Sequence, residues 1–341
     1  MRFFDQQDEA RAQTRRLLLA FALAVALLVA AVHGALTLAW WLMAWAISNV
    51  LPLHIHLPQP VLFFEVNVGV SLLLVLGGWW VETSQLRAGG EHLALRVGAR
   101  EARPSVSHAE QRFCNVLTEL CIAGSVTRPQ PMVLARTDAI NAFAAGWRED
   151  DAVVAVTQGA LDLLTREELQ GMVAHELSHL REGDTRLNMR LAGMVFGLEL
   201  VYNFGRTVRE NGGLGAWFGS AIMVAGFSGW VTGRLLKAAV SRQREYLADA
   251  RAVQWTRSRD GLGGVLRKVM TQQHQIFARG RGINELDHPA VQHMLLVEAS
   301  GEGAFERWFA SHPTLAQRVH CIYGRDMAPL ALVPVFTDRS T

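Results

Sequence analysis

The sequence feature that most constrains the fold is a long stretch without charge near the N-terminus. No charged residue occurs from Leu17 until Glu65. The part from Leu17 to about Ile47 is longer than the ~20 residues of one helical span, so it predicts a tilted or protruding helix. Two shorter spans, broken near His33, would each fall below the ~17-residue minimum. We therefore expect a single span here and a second one over 61–81.

The loops around this N-terminal hairpin (1–83) predict its orientation. The connecting loop 48–60 contains no lysine or arginine. Arginines follow the second span at Arg87, Arg96, Arg100 and Arg103. Because basic loops stay on the cytoplasmic side, both ends of the hairpin are expected in the cytoplasm, in a multi-pass protein of the inner (plasma) membrane.

Composition agrees with a membrane protein and excludes one class of partner. Half of the 341 residues are hydrophobic and 19% are charged, a balance typical of membrane proteins. The net charge is +2 and the arginines are scattered, so nucleic-acid binding is not predicted. The cysteines Cys114, Cys121 and Cys321 form no Cys-x-x-Cys pair and fit a reducing compartment.

A short polar motif predicts a metal site on a helix. His175 and His179 lie one turn apart on a single helical face, where two imidazoles can hold one zinc ion. Glu176 lies beside them and could take a proton from the attacking water. Thr165 and Glu168 form a capping-box pattern, so the helix is expected to begin directly after Thr165 and to end at Gly183. A solvated helix face is the alternative, but the apolar opposite face and clean caps favour the metal site.

Two histidines leave a zinc ion without the third protein ligand that such sites have. Glu245 and Asp249 lie at i and i+4 and leave one helix in the same direction. One could bind the metal while the other orients an imidazole through its second nitrogen. The alternative is an ordinary pair on a charged surface, and the spacing alone does not decide between them.

The remaining elements follow from hydrophobic periodicity. Residues 214–233 carry no charge and contain glycines at four-residue spacing, which favours a membrane helix. The apolar stretch 191–204 is short enough to span or to be buried. Short strands are predicted at 132–135, 140–143 and 152–157, and helices at 109–122, at 241–257, from Leu262, near 289–299 and at 303–310.

Taken together, these motifs resemble the HtpX-type and CAAX-prenyl-protease group of integral-membrane zinc metallopeptidases. The resemblance runs from roughly Gly98 to Arg318, and the N-terminal hairpin also fits it. The elements that carry it are His175-Glu176-x-x-His179, Asp184, Glu245-x-x-x-Asp249, Asn141-Ala142-Phe143-Ala144 and Ser311-His312-Pro313 with Arg318.

This resemblance implies a mainly α fold with a small β-sheet: a gluzincin-like domain with membrane helices at its start and inserted between the zinc ligands. The expected divisions are a membrane anchor at 1–83, a peptidase domain in two parts at 84–187 and 241–324, an inserted membrane hairpin at 188–240, and a tail at 325–341.

The resemblance also implies roles for individual residues. Glu245 would be the third ligand of one zinc ion per chain, with Asp249 and Asp184 supporting the ligands. His312 would lie over the oxyanion. An edge strand carrying Asn141, Ala142 and Phe143 would pair with the substrate backbone, and Arg318 would also contact the substrate.

We therefore predict a membrane-embedded zinc endopeptidase that cleaves misfolded or damaged membrane proteins. Its partners would be polypeptide substrates and the lipid bilayer. The alternatives are a specific processing protease of the CAAX-cleaving kind, or a non-proteolytic membrane chaperone or scaffold with a vestigial site. An intact Glu176 argues against the scaffold, which has no need of a general base. The sequence specifies neither the substrate nor the oligomeric state.

Overall fold

A computed structural model of the chain describes residues 3–50, 57–279, 294–297 and 313–335. Its helices are α1 (Phe3–Val50), α2 (Phe63–Leu86), α3 (Gly90–Arg96), α4 (His108–Gly124), α5 (Gln158–Leu163), α6 (Arg166–Glu182), α7 (Asp184–Glu210), α8 (Gly213–Thr256), α9 (Arg259–Arg279) and α10 (Leu315–Tyr323). Its strands are β1 (Arg100–Glu101), β2 (Gln130–Leu134), β3 (Ala142–Ala145) and β4 (Val153–Thr157). The predicted mainly α fold with a small sheet is confirmed.

The chain divides into two compact units. The helical unit comprises residues 1–85 and 190–237. The mixed unit comprises residues 86–189 and 238–341 and contains the sheet. Helices α7 and α8 each contribute residues to both units.

Glycines let the helices of the helical unit approach closely. A Cβ atom on Gly219 would collide with the backbone of Arg209, and one on Gly226 with the backbone of Tyr202. A Cβ on Gly197 would likewise collide with the backbone of α2. Helix α7 therefore packs on α8 and α2 through main-chain contacts, as small residues permit between membrane helices.

Three helices are long and apolar enough to cross a membrane, over Arg16–Asn49, Phe63–Leu86 and Gly213–Leu236. They overlap the three stretches that hydropathy predicted, 17–47, 61–81 and 214–233. Helix α1 is continuous through His33, so the prediction of one span there is confirmed. Among the described residues, α7 is not one of these candidates, although the apolar stretch 191–204 lies within it.

The sheet of the mixed unit has the strand order β1-β2-β4-β3. Strands β2 and β4 are parallel, and the two outer pairs are antiparallel. Every residue of β4 is buried, which explains why its sequence Val-Val-Ala-Val-Thr is apolar almost throughout. Strand β3 lies at one end of this strand order, yet its four residues are also buried.

Two sequence expectations need correction. The strand expected at 140–143 begins at Ala142, because the Asn141 amide donates to the Thr157 hydroxyl at 3.0 Å instead of to a main-chain carbonyl of β4. The helix expected near 289–299 is wrong at residues 294–297, where Leu295 forms an antiparallel β-bridge with Phe143. An unbroken apolar run is compatible with either a helix or a strand, so periodicity misassigned this segment. The rest of that helix, and the one expected at 303–310, lie outside the described residues.

Helix α6 is the central helix of the mixed unit and packs directly on α9. A Cβ atom on Gly171 would collide with the backbone of Gly261 and Leu262, so the two helices touch main chain to main chain. Apolar residues of α4, α6, α9 and the sheet form one buried cluster around this crossing. Leu169, Met172, Val173 and Leu177 are the contribution of α6 to it, at helical spacing.

Candidate metal centre

Local signals define the helix that carries the two histidines. The Thr165 hydroxyl accepts from the Glu168 amide, and the Glu168 carboxylate accepts from the Thr165 amide at 2.7 Å. Gly183 ends the helix in the left-handed region at φ 72°. The predicted capping box and C-terminal glycine are therefore confirmed, and His175 and His179 lie one turn apart on α6.

Helix α8 brings Glu245 to these histidines. One nitrogen or oxygen atom from each of the three residues lies within 4.8 Å of the others, which makes them a group able to hold a metal ion. The His175 Nε2 and His179 Nε2 atoms are 3.2 Å apart. They lie 3.6 and 3.5 Å, respectively, from carboxylate oxygens of Glu245.

The outer nitrogens of both imidazoles face other carboxylates. His175 Nδ1 is 3.0 Å from Asp249 Oδ1, and His179 Nδ1 is 3.0 Å from Asp184 Oδ2. A carboxylate only accepts, so each Nδ1 carries the proton and each Nε2 presents a lone pair. Two lone pairs and a carboxylate oxygen thus converge at one point. The donor set fits a divalent cation with nitrogen and oxygen ligands.

A buried guanidinium balances the carboxylates of this centre. Arg318, 1% exposed, donates to both oxygens of Asp249 at 2.9 and 2.6 Å, and its Nη1 lies 3.3 Å from Glu245 Oε2. Burial opposes ionisation of Asp249, but Arg318 and His175 together outweigh it and lower the pKa of this carboxyl. Arg318 was predicted to contact substrate, and its burial among carboxylates favours a positioning role instead.

Glu176 is buried beside the two histidines and 1% exposed. Neither of its carboxylate oxygens has a close hydrogen-bond partner among the described residues. Burial raises the pKa of Glu176 to about 8, and a weak interaction with the Ala144 backbone is the smallest of the opposing effects. A cation held by the neighbouring ligands would act against this rise.

The predicted substrate residues lie next to the centre but are covered. Ala142 and Phe143 are fully buried, and Asn141 is 8% exposed. The Asn141 side-chain amide donates to the Val297 carbonyl at 2.7 Å. The other predicted site residue, His312, lies outside the described residues. Asp184 is where it was expected, since it bonds His179 and forms an ion pair with Arg244.

The sequence reading missed a buried ion pair that supports the helix start. Lys268 on α9 donates to Glu168 at 2.7 Å and to the Leu163 carbonyl at 2.7 Å, with both charged side chains buried. It thereby ties the capping box of α6 to α9. Lys268 is one of only two lysines in the chain and follows Val265 by three helical positions, a signal that could have placed it facing the core.

Comparison with known proteins agrees with this geometry. The model of peptidase family M48 matches residues 108–326. A protease HtpX homologue of Dictyoglomus thermophilum is 30% identical over 285 residues, which cover 82% of this chain and 89% of that protein. One from Ligilactobacillus salivarius is 31% identical over 241 residues, 67% of this chain and 78% of that protein. One from Streptococcus uberis is 26% identical over 266 residues, which cover 74% of this chain and 84% of that protein. No solved structure matches the chain.

The family match includes the two histidines, Glu176, Glu245 and the buried groups that support them. It covers more than half of the chain, and the HtpX relatives extend beyond it. The predicted HtpX-type metalloprotease is thus confirmed, and the chain belongs to peptidase family M48.

Proposed function

We propose that the chain is a zinc-dependent endopeptidase with one zinc ion held by His175, His179 and Glu245. The observation that carries this proposal is the convergence of two imidazole lone pairs and one carboxylate oxygen in a buried place. Zinc is favoured because three nitrogen and oxygen ligands with room for water are typical of its catalytic sites. When bound, zinc would polarise the scissile carbonyl and lower the pKa of the attacking water.

The proposed chemistry of the chain's own residues follows from their surroundings. Glu176 accepts the proton of the attacking water and returns it to the leaving amine, since no side chain in the described part of the chain bonds its oxygens. Asp249 and Asp184 hold the two imidazoles in the tautomer that presents Nε2 to the metal. Arg318 favours the ionised form of Asp249 and lies 3.3 Å from Glu245 Oε2. Stabilisation of the oxyanion by His312 stays a prediction.

We propose that the substrate backbone pairs with the outer side of β3. This strand stands at the end of the sheet order, and it packs against α6, which carries Glu176. The Ala144 backbone interacts weakly with Glu176, so the strand passes beside the general base. Edge strands commonly recognise extended peptides through main-chain hydrogen bonds.

The proposed substrates are misfolded or damaged membrane proteins, as the HtpX relatives and the apolar helices suggest. The anchor at 1–83, the inserted hairpin at 188–240 and the two-part peptidase domain are proposed divisions. We place the catalytic part in the cytoplasm beneath the plasma membrane, because arginines follow the second span and the loop before it has none. Reporters fused at residues 55 and 110 should lie on opposite sides, and finding both in the cytoplasm would contradict this.

The deciding experiment compares purified wild type with Glu176→Gln for zinc content and casein cleavage. The variant should keep its zinc and lose nearly all turnover, because the base is removed while the ligands remain. Glu167→Gln is the matched control, since this exposed glutamate lies on the same helix. Wild-type cleavage by Glu176→Gln would overturn the assignment, and a zinc-loaded wild type that cleaves nothing would favour the scaffold alternative.

A further inference from the structure

The outer side of β3 is paired with a distant part of the same chain, Met294–Val297. Leu295 forms an antiparallel β-bridge with Phe143. The Leu296 amide donates to the Ala142 carbonyl at 2.9 Å. The main chain of this internal strand therefore runs antiparallel to β3, on the side away from β4.

Side chains complete the pairing, and they bond only main-chain groups of the internal strand. Asn141 Nδ2 donates to the Val297 carbonyl at 2.7 Å, and Asn141 Oδ1 accepts from the Val297 amide at 3.3 Å. Arg318 Nη1 donates to the Leu296 carbonyl at 2.7 Å. Both amides and both carbonyls of Leu296 and Val297 are thus bound, by the residues that were expected to meet a substrate.

The internal strand is buried, and so are residues of the metal centre. Its four residues, Met-Leu-Leu-Val, are all apolar and buried. Glu176 is 1% exposed and His175 is 1% exposed, so the general base and a ligand are sealed from solvent. A substrate that pairs with β3 needs the same hydrogen-bonding groups that this segment occupies.

We propose that Met294–Val297 occupies the place of the substrate backbone on β3, and that substrates are extended apolar segments which displace it. This inference rests on the proposed function and names the substrate class of that site. An apolar peptide can replace every interaction of the internal strand, because Asn141, Ala142 and Arg318 contact only main-chain atoms. Polar side chains would instead lose their water in the buried surroundings of β3 without gaining a partner.

A reversible cross-link tests whether the strand must leave. The bond from the Leu296 amide to the Ala142 carbonyl marks Phe143 and Leu295 as a non-hydrogen-bonded pair, whose short separation suits a disulfide. The protein would carry Phe143→Cys and Leu295→Cys with the exposed Cys321 replaced by serine. Casein cleavage would be measured on the same zinc-loaded protein oxidised and then reduced with a phosphine, with Cys321→Ser alone as the oxidation control.

The oxidised protein should cleave casein at least about tenfold more slowly than the reduced one, because the substrate cannot take the edge of β3. Equal rates would overturn this inference and leave the proposed function intact. A wild type that does not cleave casein would instead refute the proposed function, so the two failures are distinguishable.

A second measurement covers the case in which the loss of Phe143 harms folding. Amide hydrogen exchange would be followed in full-length Glu176→Gln with a lysine-flanked Met-Leu-Leu-Val peptide, or with a matched Thr-Ser-Ser-Thr peptide. The apolar peptide should speed exchange at Leu296 and Val297 by about fivefold or more, while β2 and β4 stay protected. Exchange that is unchanged or slower with the apolar peptide would show a permanent structural strand and end the proposal.

Discussion

The two units of this protein hold their helices in place by different means. In the helical unit, α7 approaches its neighbours through glycines such as Gly197 and Gly219, and the contacts are apolar or main chain. In the mixed unit, buried charges join distant parts of the chain, as Lys268 joins Glu168 and Arg318 joins Asp249. The comparison teaches that close main-chain contact at glycines is the main packing device of α7 in the helical unit, whereas the metal centre combines charges that neutralise one another.

The largest effect should come from breaking the charge set of the mixed unit at Glu245. Glu245→Ala removes one of three converging ligand atoms, so zinc affinity should fall by more than about 100-fold, and Asp249→Ala should lower it ~10–100-fold. Zinc titration in detergent measures both. Glu210→Ala, at an exposed carboxylate, is the control. If Glu245→Ala binds zinc as tightly as wild type, the third ligand lies elsewhere.

Next in size is the loss of the guanidinium that balances the carboxylates. Arg318→Met leaves Asp249 and Glu245 buried without their cation and should lower the free energy of unfolding by about 3–5 kcal/mol. Arg318→Lys should recover part of this, because a point charge replaces the two-pronged contact with Asp249. Unfolding in detergent measures the difference. Equal stability of the methionine variant and wild type would mean that Arg318 does not balance these charges.

The stability of the helical unit should depend on side-chain volume rather than on charge. Gly219→Leu forces a side chain against the backbone of Arg209 and should cost about 1–3 kcal/mol of stability. Gly77→Leu is the matched control, because a Cβ atom there meets nothing within 4 Å. Thermal unfolding in detergent compares the two. A Gly219 variant as stable as the Gly77 variant would show that close helix contact does not hold this unit together.

The smallest effect concerns a charge pair of the mixed unit away from the metal. The Arg100 guanidinium bonds Glu110 at 2.6 Å and, against burial, lowers the pKa of this carboxyl. A lowered folded pKa stabilises the fold above the unfolded pKa, and that stability is lost as pH falls through the folded pKa. Glu110→Gln should therefore cost about 1 kcal/mol at pH ~7 and progressively less as the pH falls below the unfolded pKa. Denaturation at the two pH values checks this, with Glu101→Gln as an exposed control, and a cost independent of pH would contradict it.

The features that could be predicted from the sequence are those that depend on residues close together in the chain. Hydropathy located the three candidate spans, because a bilayer demands long apolar helices whatever their neighbours are. The start and end of α6 were also predictable, since Thr165, Glu168 and Gly183 act within one turn of the chain.

The features that the sequence did not predict depend on partners that are far apart in the chain. Glu168 and Lys268 are 100 positions apart, and no local pattern pairs them. The burial of Arg318 follows from Asp249, 69 positions earlier. Met294–Val297 shows the same limit, because its apolar residues suit a helix or a strand until β3 is beside them.

The main-chain contact at Gly171 bears on which substitutions the helix of the metal centre tolerates. Gly171 lies one turn before His175, and there α6 rests directly on the backbone of α9. Main-chain atoms do not change with rotamer, so the two helices cannot be pressed closer together at this point. Exchanges in the surrounding core, such as leucine for methionine or valine, therefore leave this main-chain contact between α6 and α9 in place. A single methyl group at position 171 would instead collide with the backbone of Gly261 and Leu262 and push the two helices apart.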